Sequence, residues 1–334
     1  MTDLDTAVAA PARATRHAYR DRLVELLGRH PRAVCLDTDT GLFTGVDFGP
    51  AADRFISVGI AEHNLMTMAA GLAASGFVPF VNTMASFAAT RVLEAVKLDI
   101  AYPGLPVRIM ATHGGLSSGH LGPTHQSLED IAVMRALPNM TVVVPADAAA
   151  TEAVVEDAMT LPGPLYVRLG RKATPAVPAP QRPRIGTGQL LRTGRDVLLV
   201  ACGPHPVLAA LAAAAQLEGA GVSAAVLNLH TVKPLDADLL VAAAAGARLV
   251  VTVEEHWRVG GLGSAVAETL AERAPARVLR IGVDDTFATV VAGHDQLVET
   301  YGLGADAVAA AVRRALQPAH RRPERLSEGN PWTC

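Results

Sequence analysis

Short apolar runs alternate with helical patterns through the first half of the chain. The runs are continuous rather than alternating, which is typical of parallel strands that helices cover on both faces. The predicted strands span 33–36, 55–58, 78–81, 107–111, 141–144 and 165–169. Helices are predicted between them, near 61–74, 86–100, 127–136 and 148–160. This order of elements predicts a doubly wound α/β domain with a parallel sheet.

A second α/β pattern follows a proline-rich segment. Residues 172–184 hold four prolines in thirteen positions, which excludes a helix or a central strand and favours a semi-rigid linker. Beyond it, strands are predicted at 196–201, 223–229, 248–253 and 276–281, separated by Ala-rich helices. The predicted organisation is a first domain over 15–172, a linker over 173–188, a smaller second α/β domain over 189–318 and a tail over 319–334.

Composition narrows the class of protein. Half of the 334 residues are hydrophobic and 18% are charged, which excludes a disordered chain. A net charge of −3 gives no electrostatic case for nucleic acid or for an anionic membrane. The apolar runs are too short for a membrane helix, the first residues do not resemble a signal peptide, and three cysteines without a C-x-x-C pair fit a reducing compartment. We therefore expect a soluble, cytoplasmic protein.

One carboxylate lies between an apolar strand and an apolar helix. Val58 ends the predicted strand, Gly59 permits a turn, and Glu62 follows at the start of the helix. A carboxylate is costly to bury unless it has a partner or a function. The helix dipole offers an alternative, since it favours a glutamate at a helix N-terminus without any catalytic role. The apolar face predicted for this helix consists of Leu65, Met68, Ala69 and Leu72.

A second candidate site is the loop 111–126, which holds His113, His120, His125 and four glycines. It follows a predicted strand and precedes a helix, and open α/β sheets bind ligands at the carboxyl ends of their strands. A glycine-rich surface loop with solvated histidines is the plainer interpretation. Metal binding is not expected, because the histidines are spaced by seven and five residues and no acidic ligand accompanies them.

Several blocks, taken in this order, resemble transketolases. G-I-A-E-H-N-L-M (59–66), G-P-T-H-Q (122–126) and P-N-M-T-V-V-V-P-A-D (138–147) resemble the pyrimidine-binding domain of that family. V-L-N-L-H-T-V-K-P-L-D (226–236) and V-T-V-E-E-H-W-R-V-G-G-L-G-S-A-V (251–266) resemble its C-terminal domain. The resemblance covers roughly residues 15 to 318 and implies a thiamine diphosphate-dependent enzyme.

Such enzymes hold the cofactor's diphosphate and Mg²⁺ through a G-D-G motif that paired asparagines follow. This chain contains neither a G-D-G nor an N-N sequence. The resemblance therefore implies the C-terminal subunit of a split, two-chain transketolase. A separate N-terminal subunit would carry the diphosphate-binding domain and the Mg²⁺, and an α2β2 assembly is expected.

The resemblance also assigns cofactor contacts. Glu62 matches the glutamate that hydrogen-bonds the cofactor's aminopyrimidine ring and so assists removal of the thiazolium proton. Phe87 matches the aromatic residue that packs on that ring, although an ordinary core phenylalanine is the alternative. Asp39 stands where the family has an acid near the cofactor, although a turn role would also explain it. Met84 replaces an aromatic residue of the pocket.

Substrate contacts follow in the same way. His125 matches the histidine that faces the reacting end of the donor, and His113 and Arg171 match the pair that grips the substrate phosphate. Leu121 stands where transketolases place an aspartate that reads sugar hydroxyls, so a less common donor or acceptor is expected. Four further residues lie nearby and receive no role: His63, Arg91, His120 and Arg168.

The leading function is transfer of a two-carbon ketol unit from a ketose or ketose phosphate to an aldehyde. One alternative is the β subunit of a 2-oxoacid dehydrogenase's first component, but G-P-T-H-Q favours transketolase because such β subunits tend to carry a second histidine after the proline. Another alternative delivers the two-carbon unit to a carrier protein, which Leu121 leaves open. A non-catalytic scaffold is disfavoured because Glu62 is present.

Overall fold

The computed structural model describes residues 11–317, and the first half of the chain contains eight strands and five helices within them. The elements in chain order are β1 (Arg13–Ala14), α1 (Thr15–Arg29), β2 (Ala33–Asp37), β3 (Phe55–Ser57), α2 (Glu62–Ala74), β4 (Val78–Met84), α3 (Leu93–Ala95), β5 (Arg108–Thr112), α4 (Asp130–Ala136), β6 (Thr141–Val143), α5 (Ala148–Ala158), β7 (Leu165–Arg168) and β8 (Ala173–Thr174). All six strands predicted for this half are present.

The second half alternates strands and helices in the same manner. Its elements are β9 (Gln189–Arg192), β10 (Val197–Ala201), α6 (Pro204–Gly219), β11 (Ala224–Asn228), β12 (Thr231–Lys233), α7 (Ala237–Ala244), β13 (Leu249–Trp257), α8 (Leu262–Arg273), β14 (Val278–Val283), α9 (His294–Thr300) and α10 (Ala305–Leu316). None of the helices in the described part of the chain is long and apolar enough to span a membrane.

Two mostly parallel sheets confirm the predicted α/β class. The first has the spatial order β12-β6-β7-β5-β4-β2-β3, and the second has the order β14-β13-β10-β11-β9. All neighbouring pairs are parallel except the edge pairs β12–β6 and β11–β9. The central strands are buried on both faces, which explains why their sequences are continuously apolar.

The sequence pattern missed four short strands at sheet edges, β1, β8, β9 and β12, although it predicted the edge strands β3 and β14. β12 comes from the second half of the chain but pairs with β6 of the first sheet, so the two halves share a sheet. β8, at the start of the segment predicted as a linker, pairs with β1. These strands are two to four residues long, and strands this short carry little periodicity.

A single apolar cluster joins the two halves. It includes Leu36 and Ile109 from the first sheet and Leu198, Leu227 and Val250 from the second. Across this shared core, the loop that follows β5 contacts β13 of the second sheet, since the Leu116 N–H donates to Glu255. The predicted apolar face of α2 is shifted slightly, since Met68 and Leu72 are only partly buried. The fully buried apolar residues of that helix are Leu65, Met66, Ala69, Ala70 and Ala73.

Candidate active site

Glu62 is the first residue of α2 and lies just beyond a tight turn. Gly59 has a φ of +68°, a conformation that glycine adopts without strain. The Glu62 side chain is 5% exposed, and its Oε2 accepts a hydrogen bond from Arg91 Nη1 at 3.0 Å. Within residues 11–317 its Oε1 has no hydrogen-bond partner. A buried carboxylate with one unengaged oxygen can accept a hydrogen bond from a ligand.

Arg91 connects this carboxylate to Phe87, which in turn contacts His125. The segment predicted as a helix at 86–100 is mostly π-helical, since wider turns at Phe87–Arg91 and Val96–Ala101 flank the short α3. The first of them is the kind of turn that is frequent at functional sites. That turn places the Arg91 guanidinium 4.3 Å from the centroid of the Phe87 ring. The His125 ring packs edge-on against the same phenylalanine, with 5.5 Å between ring centroids. Three of the predicted residues therefore form one group, with Arg91 as the member to which the sequence assigned no role.

Asp39, Met84 and Leu121 lie at loops and strand ends. Asp39 is exposed after β2 with a φ of +62°, and the buried carboxylate of that strand end is Asp37. Asp37 accepts hydrogen bonds from the backbone N–H and the hydroxyl of Thr40, and burial raises its pKa. Met84 is half-buried at the end of β4, and Leu121 is 41% exposed.

His113 is buried with a φ of +60°, and its Nδ1 lies 2.9 Å from the Thr112 hydroxyl. Burial, together with the charges of Arg16 and Arg171, lowers the pKa of His113 to about 4. The imidazole is therefore neutral at pH 7. It can make a hydrogen bond to a substrate, but it contributes no positive charge, which has to come from the arginines.

A cavity of about 330 Å³ lies beside Arg16 and Arg171. Arg171 Nη1 lies 3.1 Å from His120 Nδ1, and Arg16 Nε is buried without a hydrogen-bond partner in the described chain. Two guanidinium groups at a single cavity favour an anionic ligand, whereas the ammonium of Lys172 is already paired with Asp295. The sequence did not single out Arg16, because a charge near the start of a helix resembles an ordinary surface residue. The lining residues are Arg16, Ser117, Gly119, His120, Arg171, Lys172, Ala292, Gly293 and His294.

Comparison with known proteins identifies the family of this chain. Residues 12–177 match the pyrimidine binding domain of transketolase, and residues 186–308 match the transketolase C-terminal domain. The 6-deoxy-6-sulfo-D-fructose transketolase subunit SqwH of Clostridium sp. (strain MSTE9) is 39% identical, over 92% of this chain and 95% of the relative. A subunit of the apulose-4-phosphate transketolase of Phocaeicola vulgatus is also 39% identical, over 88% of this chain and 95% of that relative.

Solved structures agree with these sequence matches. A split gene transketolase, solved as an inactive β4 tetramer, superposes with a TM-score of 0.84 at 47% identity, covering 91% of this chain and 98% of that one. The transketolase of Campylobacter jejuni shares the fold at 20% identity with a TM-score of 0.78, and this chain spans 48% of its length. The 2-oxoacid dehydrogenase alternative is not favoured by these relatives. The chain belongs to the transketolase family and is a transketolase-type transferase subunit, of a family that depends on thiamine diphosphate.

Proposed function

We propose that this chain supplies the pyrimidine-binding half of a thiamine diphosphate site and that a separate subunit supplies the diphosphate half with its Mg²⁺. The observation that carries the proposal is Glu62, a carboxylate that is almost fully buried and has one oxygen unengaged within the described chain. A pyrimidine ring that carries a proton on its ring nitrogen, as the imino form does, donates an N–H to such an acceptor and packs on an aromatic surface beside it. The half-buried ring of Phe87 would offer that surface through the face that the Arg91 guanidinium does not cover, so the residues fit the group.

The roles of the side chains follow from their chemistry. Glu62 would hold a proton at the pyrimidine ring, and Phe87 would fix the plane of that ring by stacking. His125, which packs on Phe87, would hydrogen-bond the reacting end of the sugar. Asp39 and Met84, at the carboxyl ends of β2 and β4, would border the cofactor. When bound, thiamine diphosphate supplies a nucleophilic carbon that accepts the two-carbon unit and later releases it.

The cation-lined cavity supports a sugar with an anionic end as the substrate. Arg16 and Arg171 would bind that end by charge. His113 lies outside the lining of the cavity, but the charges of both arginines act on it, and its neutral ring would add a hydrogen bond. Both a phosphate and a sulfonate present the tetrahedral oxygens that an arginine fork matches. Leu121 offers no hydrogen-bond acceptor to a sugar hydroxyl, which supports a donor or acceptor different from those of ordinary transketolases.

A partner subunit would complete the site. Ile60, two residues before Glu62, is 78% exposed, and a partner subunit that completes the site would cover it. The relatives named as subunits have almost the same extent as this chain, which supports a two-chain enzyme. We expect an α2β2 assembly in the cytoplasm.

The test is to co-express the chain with the diphosphate-domain subunit and to measure ketol transfer with thiamine diphosphate and Mg²⁺. Glu62→Ala should lower turnover by about 10³-fold, because the proton transfer that activates the cofactor depends on this carboxylate. Glu94→Ala, an exposed glutamate on the neighbouring helix, serves as the matched control. Activity of E62A within tenfold of that of the wild-type pair would refute the proposal, as would full activity of this chain alone.

A further inference from the structure

Three side chains with metal-ligating atoms meet at the junction of the two halves. His205 lies at the start of α6, Glu255 near the end of β13, and His294 at the start of α9. One ligand atom from each lies within 4.8 Å of the other two. The two imidazole rings contact each other edge-on, with 4.1 Å between centroids. Because the three residues are far apart in sequence, only the folded chain brings them together.

The hydrogen bonds of this cluster leave several polar atoms unused. Glu255 Oε1 accepts from the backbone N–H of Leu116 and lies 2.8 Å from His294 Nε2. His294 Nδ1 is buried and has no partner within the described residues. His205 makes no hydrogen bond there either. An unpaired buried polar atom costs about 1–3 kcal/mol, so the cluster has the form of a site that a ligand completes.

Two of the three groups, His205 and Glu255, have the protonation state that a bound cation requires. Burial lowers the pKa of His205 to about 4, which leaves its ring neutral with a free lone pair. Burial alone would raise the pKa of Glu255, but the neighbouring His294 outweighs it and brings the pKa to about 2. The ion pair with Glu255 raises the pKa of His294, so a metal ion has to displace a proton from that ring as it binds.

Space for one small ion is present beside the cluster. All three residues border a cavity of about 30 Å³, close to the volume that one water molecule occupies in the liquid. Arg168 also borders it, but its Nε lies 3.2 Å from Asp130 Oδ2, so that positive charge is balanced. The carboxylate is closely surrounded as well. A Cβ on Gly115 would come within 2.3 Å of Glu255 Oε1, so the loop can approach this carboxylate only with glycine at that position.

We propose that His205, Glu255 and His294 bind one Zn²⁺ ion, with a water molecule in the fourth position. Two imidazoles and a carboxylate form a ligand set that Zn²⁺ favours over Mg²⁺ or Ca²⁺. Zinc–ligand bonds of about 2.0–2.2 Å place tetrahedral ligands about 3.3 Å apart. The contact between His294 Nε2 and Glu255 Oε1 would therefore open by about half an ångström, and the widest separation would close.

The ion would join β13, α6 and α9. Through the bond from Leu116 to Glu255 it would also brace the loop that carries His113 and His125. Its expected effect is stabilising and lies outside the chemistry at Glu62. Zinc binding is independent of the proposed function, because metal binding by the full chain can be measured without the partner subunit.

The full chain, freed of metal with a chelator, should be titrated with Zn²⁺ by calorimetry and with Co²⁺ by visible absorption. We expect one equivalent of metal per chain, tetrahedral Co²⁺ absorption bands, and a rise in Tm on addition of Zn²⁺. H205Q and H294Q should each weaken the affinity by about 100-fold or more and abolish the Co²⁺ bands. His30→Gln, at a half-buried histidine outside the cluster, is the matched control.

Two results would overturn the proposal. The first is the absence of stoichiometric metal binding by the wild-type chain. The second is unchanged binding in H205Q and H294Q, which would assign the metal to other residues. Circular dichroism would establish that these variants fold. Because His205 makes no hydrogen bond within the described chain, H205Q tests the ligand role with little risk to the fold.

Discussion

Glu62 and Glu255 are both buried carboxylates, with side chains 5% and 10% exposed, yet their surroundings differ. Glu62 has one partner, Arg91, whose own side chain is 51% exposed. Glu255 is enclosed by a backbone N–H, two histidines and Gly115. The first carboxylate belongs to a site that is open on one side. The second belongs to a site whose neighbours all lie within this chain.

An exposed partner marks a charge that the chain compensates only in part. A buried charge needs compensation, and Glu255 finds it internally, whereas Glu62 has only a half-exposed arginine. The unfilled side of Glu62 therefore agrees with a ligand and a second subunit. Because the two glutamates serve different purposes, removal of Glu62 should mainly lower activity, whereas removal of Glu255 should mainly lower stability.

The sharpest test replaces each glutamate by alanine. E62A should abolish turnover of the assembled enzyme, by about 10³-fold or more, while lowering the free energy of unfolding by about 1 kcal/mol or less, since its partner is exposed. E255A should lower the free energy of unfolding by about 3–5 kcal/mol, because it leaves His294 and the Leu116 N–H without an acceptor. Urea denaturation and steady-state rates measure both. Equal destabilisation by the two variants would remove the distinction between open and closed sites.

His113 lies in the loop whose Leu116 N–H donates to Glu255, and its low pKa makes the stability of the chain depend on pH. Its pKa of about 4 lies below the value near 6.5 of an unfolded histidine, so the unfolded chain binds the proton first as the pH falls. The stabilisation is complete above about pH 6.5 and is lost towards pH 4, by up to about 3 kcal/mol. His113→Asn should remove this part of the pH dependence, and asparagine tolerates the positive φ. Denaturation of both proteins from pH 7 to pH 4 gives the difference between their free energies of unfolding. This difference should change with pH, and a constant difference would contradict the prediction.

Arg171 tests the cation-lined cavity, which is open to solvent like the site at Glu62. Arg171→Leu should raise the KM for a donor with an anionic end by about 10- to 100-fold and change kcat little, because a charge-assisted hydrogen bond contributes about 1.5–3 kcal/mol to binding. The matched control is Arg248→Leu, an exposed arginine of the second half. The same KM increase with a donor that lacks the anionic group would show that Arg171 does not bind that group.

Leu121 should give the smallest effect. Leu121→Asp introduces an acceptor for a sugar hydroxyl, and a gained hydrogen bond contributes about 1 kcal/mol, or about fivefold in kcat/KM. The gain should appear with hydroxylated sugars such as ordinary transketolase substrates, and Leu121→Asn should give part of it. If the ratio of kcat/KM values between these substrates did not change, Leu121 would have no part in substrate choice.

The interior strands and the position of Glu62 could be predicted because their signals are local. A buried parallel strand is a continuous apolar run, and a charge between two apolar elements stands out in the sequence. Arg16 and Arg91 gave no such signal, because a charged residue on a helix usually faces solvent. Their significance comes from what lies opposite them in space: a cavity in one case, Glu62 and the Phe87 ring in the other.

By itself, the sequence determined the α/β class, the positions of the interior strands along the chain and the resemblance to transketolases. Apolar periodicity and short motifs depend on near neighbours, so they can be read without coordinates. Only the tertiary structure decided that β12 joins the first sheet, that Arg91 pairs with Glu62, and that His205, Glu255 and His294 meet. These contacts join residues far apart in the chain, and the packing of two sheets on one shared core brings them together.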